Sequence, residues 1–180
     1  MLSDKNTVLV VIDVQGKLAQ VMHEKETLYV NLGKMIQGAL SLGIPILWLE
    51  QNPARMGETI PEVKTLLAAH QPSIAKMSFS AYGEPVFIEN LESISRRQVL
   101  LAGIETHVCV YQTAADLLKR GYEVNVVADA VSSRKPADRE VGLARMQAEG
   151  VRLTCVEMAL FEVMRTALHP AFKDILKIVR

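Results

Sequence analysis

The chain alternates between solid apolar runs and amphipathic stretches. Thr7–Ile12 (TVLVVI) is an unbroken β-branched and aliphatic run, the pattern of a strand buried on both faces. From Glu26 to Leu42 apolar residues return at helical spacing, at Leu28, Leu32, Met35, Ile36, Ala39 and Leu40. Gly43 and Pro45 then stop the helix. Ile44–Leu49 reads as a second strand, Ser73–Lys76 as a short third and Gln98–Ala102 as a fourth. Thr106–Lys119 predicts a helix closed by Gly121, and Glu123–Ala128 a fifth strand. Pro136–Glu149 predicts a helix with proline at its start and Gly150 past its end. Val151–Cys155 is a sixth strand, and Val156–Leu168 and Ala171–Val179 are closing helices separated by His169-Pro170.

Strand and helix in alternation predict an α/β fold: three αβα layers around a six-stranded parallel sheet with helices on both faces. No repeat, low-complexity segment or long linker divides the chain, so one domain is expected over residues 1–180. In such sheets sites form at the carboxyl ends of strands, where strand order reverses. That rule selects Asp13, Glu50, Lys76, the Gly103–Cys109 segment and Asp129.

Composition narrows the functional classes. Lys plus Arg and Asp plus Glu both number 20 in 180 residues, so no bulk field favours nucleic acid or an anionic membrane. Two cysteines, Cys109 and Cys155, are too few for a disulfide scaffold. Met1–Asn6 lacks a signal-peptide layout, and no apolar run reaches the ~18 residues of a membrane span. The expectation is a cytoplasmic protein with reduced thiols, acting on a small molecule. The histidines (His23, His70, His107, His169) form no ligand cluster in the sequence, so no metal or other cofactor is expected.

Three strand-end residues carry chemistry. Asp13 caps the loop after the first strand or serves as a base; a carboxylate there needs a partner. Lys76 is either a solvated surface lysine or, crowded by Ile74, Met77 and Phe79, the partner of an anion. Cys109 is either a small buried hydrophobe or a nucleophile in the first turn of a helix. Gly103 would permit the turn and Thr106 would cap the helix, and the helix dipole would lower the thiol pKa. Together they form a consistent set: the thiolate attacks a carbonyl, the carboxylate moves protons and the ammonium steadies anions. His107, two residues before Cys109, faces another way on a helix and is expected at a surface or interface. Gln15, Trp48, Phe79, Tyr82 and Tyr111 are candidates for the pocket wall.

The motifs VVIDVQ, K-x-x-x-S-A-Y and GIETHVCV, in this order and spacing, resemble the isochorismatase-like cysteine hydrolases, and the likeness runs from about Thr7 to the C-terminus. LEQNPARMGETIPEV, DAVSSR and HPAFKDI are similar to its metal-free branch, the isochorismatase domain-containing protein 2 type. The resemblance implies a Rossmann-like six-stranded sheet and an Asp13-Lys76-Cys109 triad. It also implies a cis peptide at Ile104-Glu105, oxyanion donors in the amides of Glu105 and Cys109, and homo-oligomers. The nicotinamidase branch holds a metal through Asp-x-His after the second strand, where this chain reads Glu50-Gln51-Asn52. The implied activity is therefore metal-independent hydrolysis of a small amide, imide or related C–N bond through a thioester. The competing readings are a vinyl-ether hydrolase and a non-enzymatic oligomeric scaffold.

Overall fold

The computed structural model describes residues 1–180 and contains one six-stranded, wholly parallel sheet in the order β3-β2-β1-β4-β5-β6. The strands are β1 (Thr7–Ile12), β2 (Ile46–Gln51), β3 (Ile74–Lys76), β4 (Gln98–Ile104), β5 (Glu123–Ser132) and β6 (Arg152–Thr154). The helices are α1 (Gly16–Gln20), α2 (Lys25–Ser41), α3 (Pro53–Met56), α4 (Pro61–Leu67), α5 (Pro85–Ile94), α6 (Tyr111–Lys119), α7 (Pro136–Ala148), α8 (Val156–Met164) and α9 (Phe172–Val179).

Two apolar layers hold the sheet. Leu9 and Val11 face a core built with α2, α4, α8 and α9. Val8, Val10 and Ile12 face a second core with α5, α6 and α7. The strict alternation along β1 is what a strand covered on both faces requires. β1 is central, pairing Val10 with Leu47 of β2 and with Leu101 of β4. Strand order therefore reverses between β1 and β4, and the crevice opens at their carboxyl ends.

The chain departs from the sequence expectation in several elements. Helices α1, α3, α4 and α5 were not foreseen; α3, α4 and α5 each begin on a proline, whose fixed φ suits a first turn. The expected helix Thr106–Lys119 is two pieces, a wide π turn over Thr106–Val110 followed by α6. β5 runs four residues past Ala128, with a register shift against β4 between Leu101 and Gly103. The helix from Val156 ends at Met164, four residues before Leu168.

Gly103 lies inside β4 rather than in a turn. Its φ is 115°, and a Cβ there would fall 2.1 Å from the carbonyl oxygen of Ile12. Only glycine lets β4 lie this close to the last residue of β1, next to Asp13.

Candidate active site

Asp13 follows β1 directly and has a φ of 53°, a left-handed conformation that turns the chain sharply out of the strand. Aspartate is among the few non-glycine residues that tolerate it. Lys76 is the last residue of edge strand β3, and its side chain is fully enclosed. Its Nζ lies 2.7 Å from Asp13 Oδ2. Nζ also donates to Gln51 Oε1 at 2.5 Å and to the carbonyls of Ser78 and Phe79 at 3.1 Å each. Cys109 sits in the π turn after β4, 8% exposed, with its thiol against both Asp13 and Lys76. The structure thus brings the three residues together from the ends of three strands.

Their protonation is set by burial. The Lys76 ammonium 2.7 Å from Oδ2 is the charged partner of the Asp13 carboxylate, which keeps further lone pairs free to accept a proton. Burial pushes Asp13 above the usual carboxylate range, and the Lys76 ammonium pulls it partly back. The Cys109 thiol is pushed up to about 12, by burial first and by the Asp13 carboxylate second, with Lys76 acting in the opposite sense. This overturns the expectation of a thiol lowered by the helix dipole. Desolvation and a carboxylate neighbour outweigh a helix end that begins as a π turn. Thr106 does not cap that turn: Glu105 occupies the cap position and Thr106 Oγ1 is buried without a partner.

Asp13 and Cys109 border a cavity of about 100 Å³ whose wall includes Leu18, Met56, Phe79, Ile104 and Val108, with Gln51 and Glu105 as its other polar members; Lys76 stands behind Asp13 and is not part of the wall. The peptide Ile104-Glu105 is cis. The Glu105 carbonyl takes the amides of Val108 and Val110, and its carboxylate takes the amide and Nε of Arg134 at 3.2 and 3.0 Å.

Of the five residues expected to shape the pocket, only Phe79 lines it. Gln15 is fully buried beneath the site, where it receives the Gln51 amide at 2.6 Å and donates to the carbonyls of Gln51 and Gly57. Trp48 is in the middle of β2, so its side chain leaves the sheet through a face and packs in the core, with Nε1 donating to Gln71. Tyr82 lies under Arg120, and Tyr111 is held by Glu149 and Arg145. His107 hydrogen-bonds Ser133 through Nδ1 at 3.0 Å, and Gly142 of α7 packs on its backbone. Asp129 receives the Val156 amide at the start of α8.

Gln51 was missed. It ends β2 between Asp13 and Lys76, holds the ammonium through Oε1 and donates from Nε2 to Met77 O at 2.8 Å. The strand-end rule that picked Glu50 stopped one residue short of it. Glu50 itself accepts from the amide and hydroxyl of Thr59 and from Ser73, tying the 57–60 loop and β3 to β2. No three His, Cys, Asp or Glu side chains gather as a metal-ligand group, and no helix is long and apolar enough to cross a membrane.

Comparison with known proteins places this geometry. The isochorismatase domain model matches residues 7–158. Isochorismatase domain-containing protein 2 of Xenopus laevis is 38% identical over 99% of this chain and 85% of its own length. Among solved structures, the MAR1 ribonuclease of Caenorhabditis elegans is 36% identical and superposes with a TM-score of 0.93, covering 99% of this chain and 91% of that one. The octameric YcaC hydrolase of Escherichia coli, of unknown specificity, shares the fold at 21% identity with a TM-score of 0.88, over 98% and 94% of the two chains. A family match spanning most of the chain and relatives aligned almost end to end agree: the chain belongs to the isochorismatase domain family of hydrolases.

Proposed function

We propose that the protein is a metal-independent cysteine hydrolase of a small amide, imide or related C–N bond, with Cys109 as nucleophile, Asp13 as base and Lys76 as a fixed cation. The observation that carries this reading is the contact of an enclosed thiol with a carboxylate whose proton affinity is itself raised, the pair standing beside an ammonium 2.7 Å from the acid. Two groups with raised affinities are suited to passing one proton between them.

In the first half-reaction Asp13 takes the thiol proton as sulfur bonds to the carbonyl carbon. The developing oxyanion is assigned to the amides of Glu105 and Cys109. The C–N bond breaks, Asp13 returns the proton to the leaving nitrogen, and a thioester remains. In the second, Asp13 takes a proton from water, hydroxide adds to the thioester, and the sulfur leaves with a proton from Asp13. Lys76 holds its charge throughout, steadying the carboxylate and the passing thiolate. Independence from a metal rests on the donor set: the stretch Glu50-Gln51-Asn52 has no histidine, and Glu50 is committed to Thr59 and Ser73.

The cavity is small and mostly apolar, and the Glu105 charge is taken by Arg134, which supports a compact, uncharged substrate. No lysine or arginine stands on its wall, which counts against the RNA cleavage described for the nematode relative. Self-association is part of the same reading: Phe79 and Met77, 55% and 69% exposed, sit on a loop tied down by Glu84 at the cavity mouth. A panel of small amides, ureas and imides, screened against wild type and Cys109→Ala, tests the function. Turnover should fall to background in the variant while far-UV circular dichroism is unchanged; full turnover without the thiol sinks the mechanism.

A further inference from the structure

The largest concavity of the molecule, about 470 Å³, shares no residue with the candidate active site. It is a groove formed by Tyr82, the last turn of α5 and the connections that leave α5 and α6 to enter β4 and β5. Its charged wall is one-sided, with Arg96, Arg97 and Arg120 against the single carboxylate of Glu92. The chain as a whole is neutral, so this concentration of cations is local.

The three guanidiniums are held differently. Arg96 Nη1 donates to the carbonyls of Asp4 and Thr7, which fixes it as an oriented charge at the groove wall. Arg97 stacks over Tyr122 at 5.1 Å and Arg120 over Tyr82 at 4.8 Å. Neither of these two side chains forms an ion pair or a hydrogen bond within the chain, although Lys119 beside Arg120 is paired with Asp116. Stacking on a ring uses the face of a guanidinium and leaves its in-plane N–H groups unspent. Those N–H groups form the fork that binds phosphate or carboxylate with two parallel hydrogen bonds.

We infer that this groove is a binding site for a small oxyanion carrying two or more negative charges, such as a diphosphate or a polycarboxylate. The tyrosines pre-orient Arg97 and Arg120, so less side-chain freedom is lost when an anion binds. A singly charged anion would leave one fork unfilled.

The test is calorimetric titration of the full chain with pyrophosphate and, separately, citrate, against sodium chloride at matched ionic strength. Saturable binding of either anion supports the site, and the stronger of the two identifies the ligand as phosphate-bearing or carboxylate-bearing. The double variant Arg97→Gln/Arg120→Gln should weaken that binding by about tenfold or more. Lys119→Gln removes a neighbouring charge outside the groove and should leave the affinity unchanged. Thermal melts of both variants check that the fold persists. Absence of saturable binding by either anion overturns the inference. So does equal binding by the double variant, or an equal loss in Lys119→Gln.

Discussion

Asp13 and Cys109 each press on the other's protonation. The carboxylate is one reason the thiol is pushed up to about 12, so Asp13→Asn should bring it down. Alkylation of Cys109 by a thiol reagent at pH 9 should then be severalfold faster in the variant, while turnover by the mechanism proposed above should fall by about 10² or more. A rate of alkylation unchanged by the substitution would mean that burial alone sets the thiol. The same shift governs stability. The native thiol keeps its proton above the unfolded value of 9.0, so between that pH and about 12 the folded state binds more protons than the unfolded one. The contribution is complete below pH 9 and is lost as pH rises through that window. Cys109→Ala should therefore show a shallower alkaline loss of stability than wild type in denaturant titrations. At this scale the meeting of the three groups was legible because Asp13 follows β1, Lys76 ends β3 and Cys109 lies in the turn after β4, all at the carboxyl edge of one sheet. The pKa of Cys109 was not, because the sequence shows a helix beginning and hides how deeply the thiol is enclosed.

At the scale of elements, the β1–β4 pairing controls where the acid and the thiol meet. Gly103 brings the two strands to a separation no side chain permits, and a Cβ there would strike Ile12 within 2.1 Å at a φ of 115°. Gly103→Ala should destabilise the fold by about 3 kcal/mol or more, combining overpacking with a disfavoured backbone. It should also cut turnover in whatever protein still folds. A melting temperature within a degree or two of wild type would refute this account. The strands were readable because both-face burial makes unbroken apolar runs. Helix α5 was not, because Val86, Phe87 and Ile88 are contiguous apolar residues of which only Phe87 is buried, blurring the helical period. The pocket wall escaped for a related reason: Trp48 lies within a strand and points through a face, whereas this cavity is walled by strand ends and the short segments that follow them.

For the whole molecule, neutral net charge and the ordered apolar rim of Met77 and Phe79 favour assembly. Light scattering at micromolar concentration should give a mass that is a multiple of 19.9 kDa. Phe79→Ser together with Met77→Ser should move it toward the single chain, and a wild-type protein that is already monomeric removes the argument. The arrangement of the site has a different consequence. Its acid, ammonium and thiol hang from β1, β3 and β4, with β2 lying between two of them in the sheet. No hairpin, no single helix pair and no half of the sheet contains the set. The convergence of the three groups is therefore a reporter of global order: a chain that has lost any one of four strands cannot bring them together, however native the remainder looks to spectroscopy.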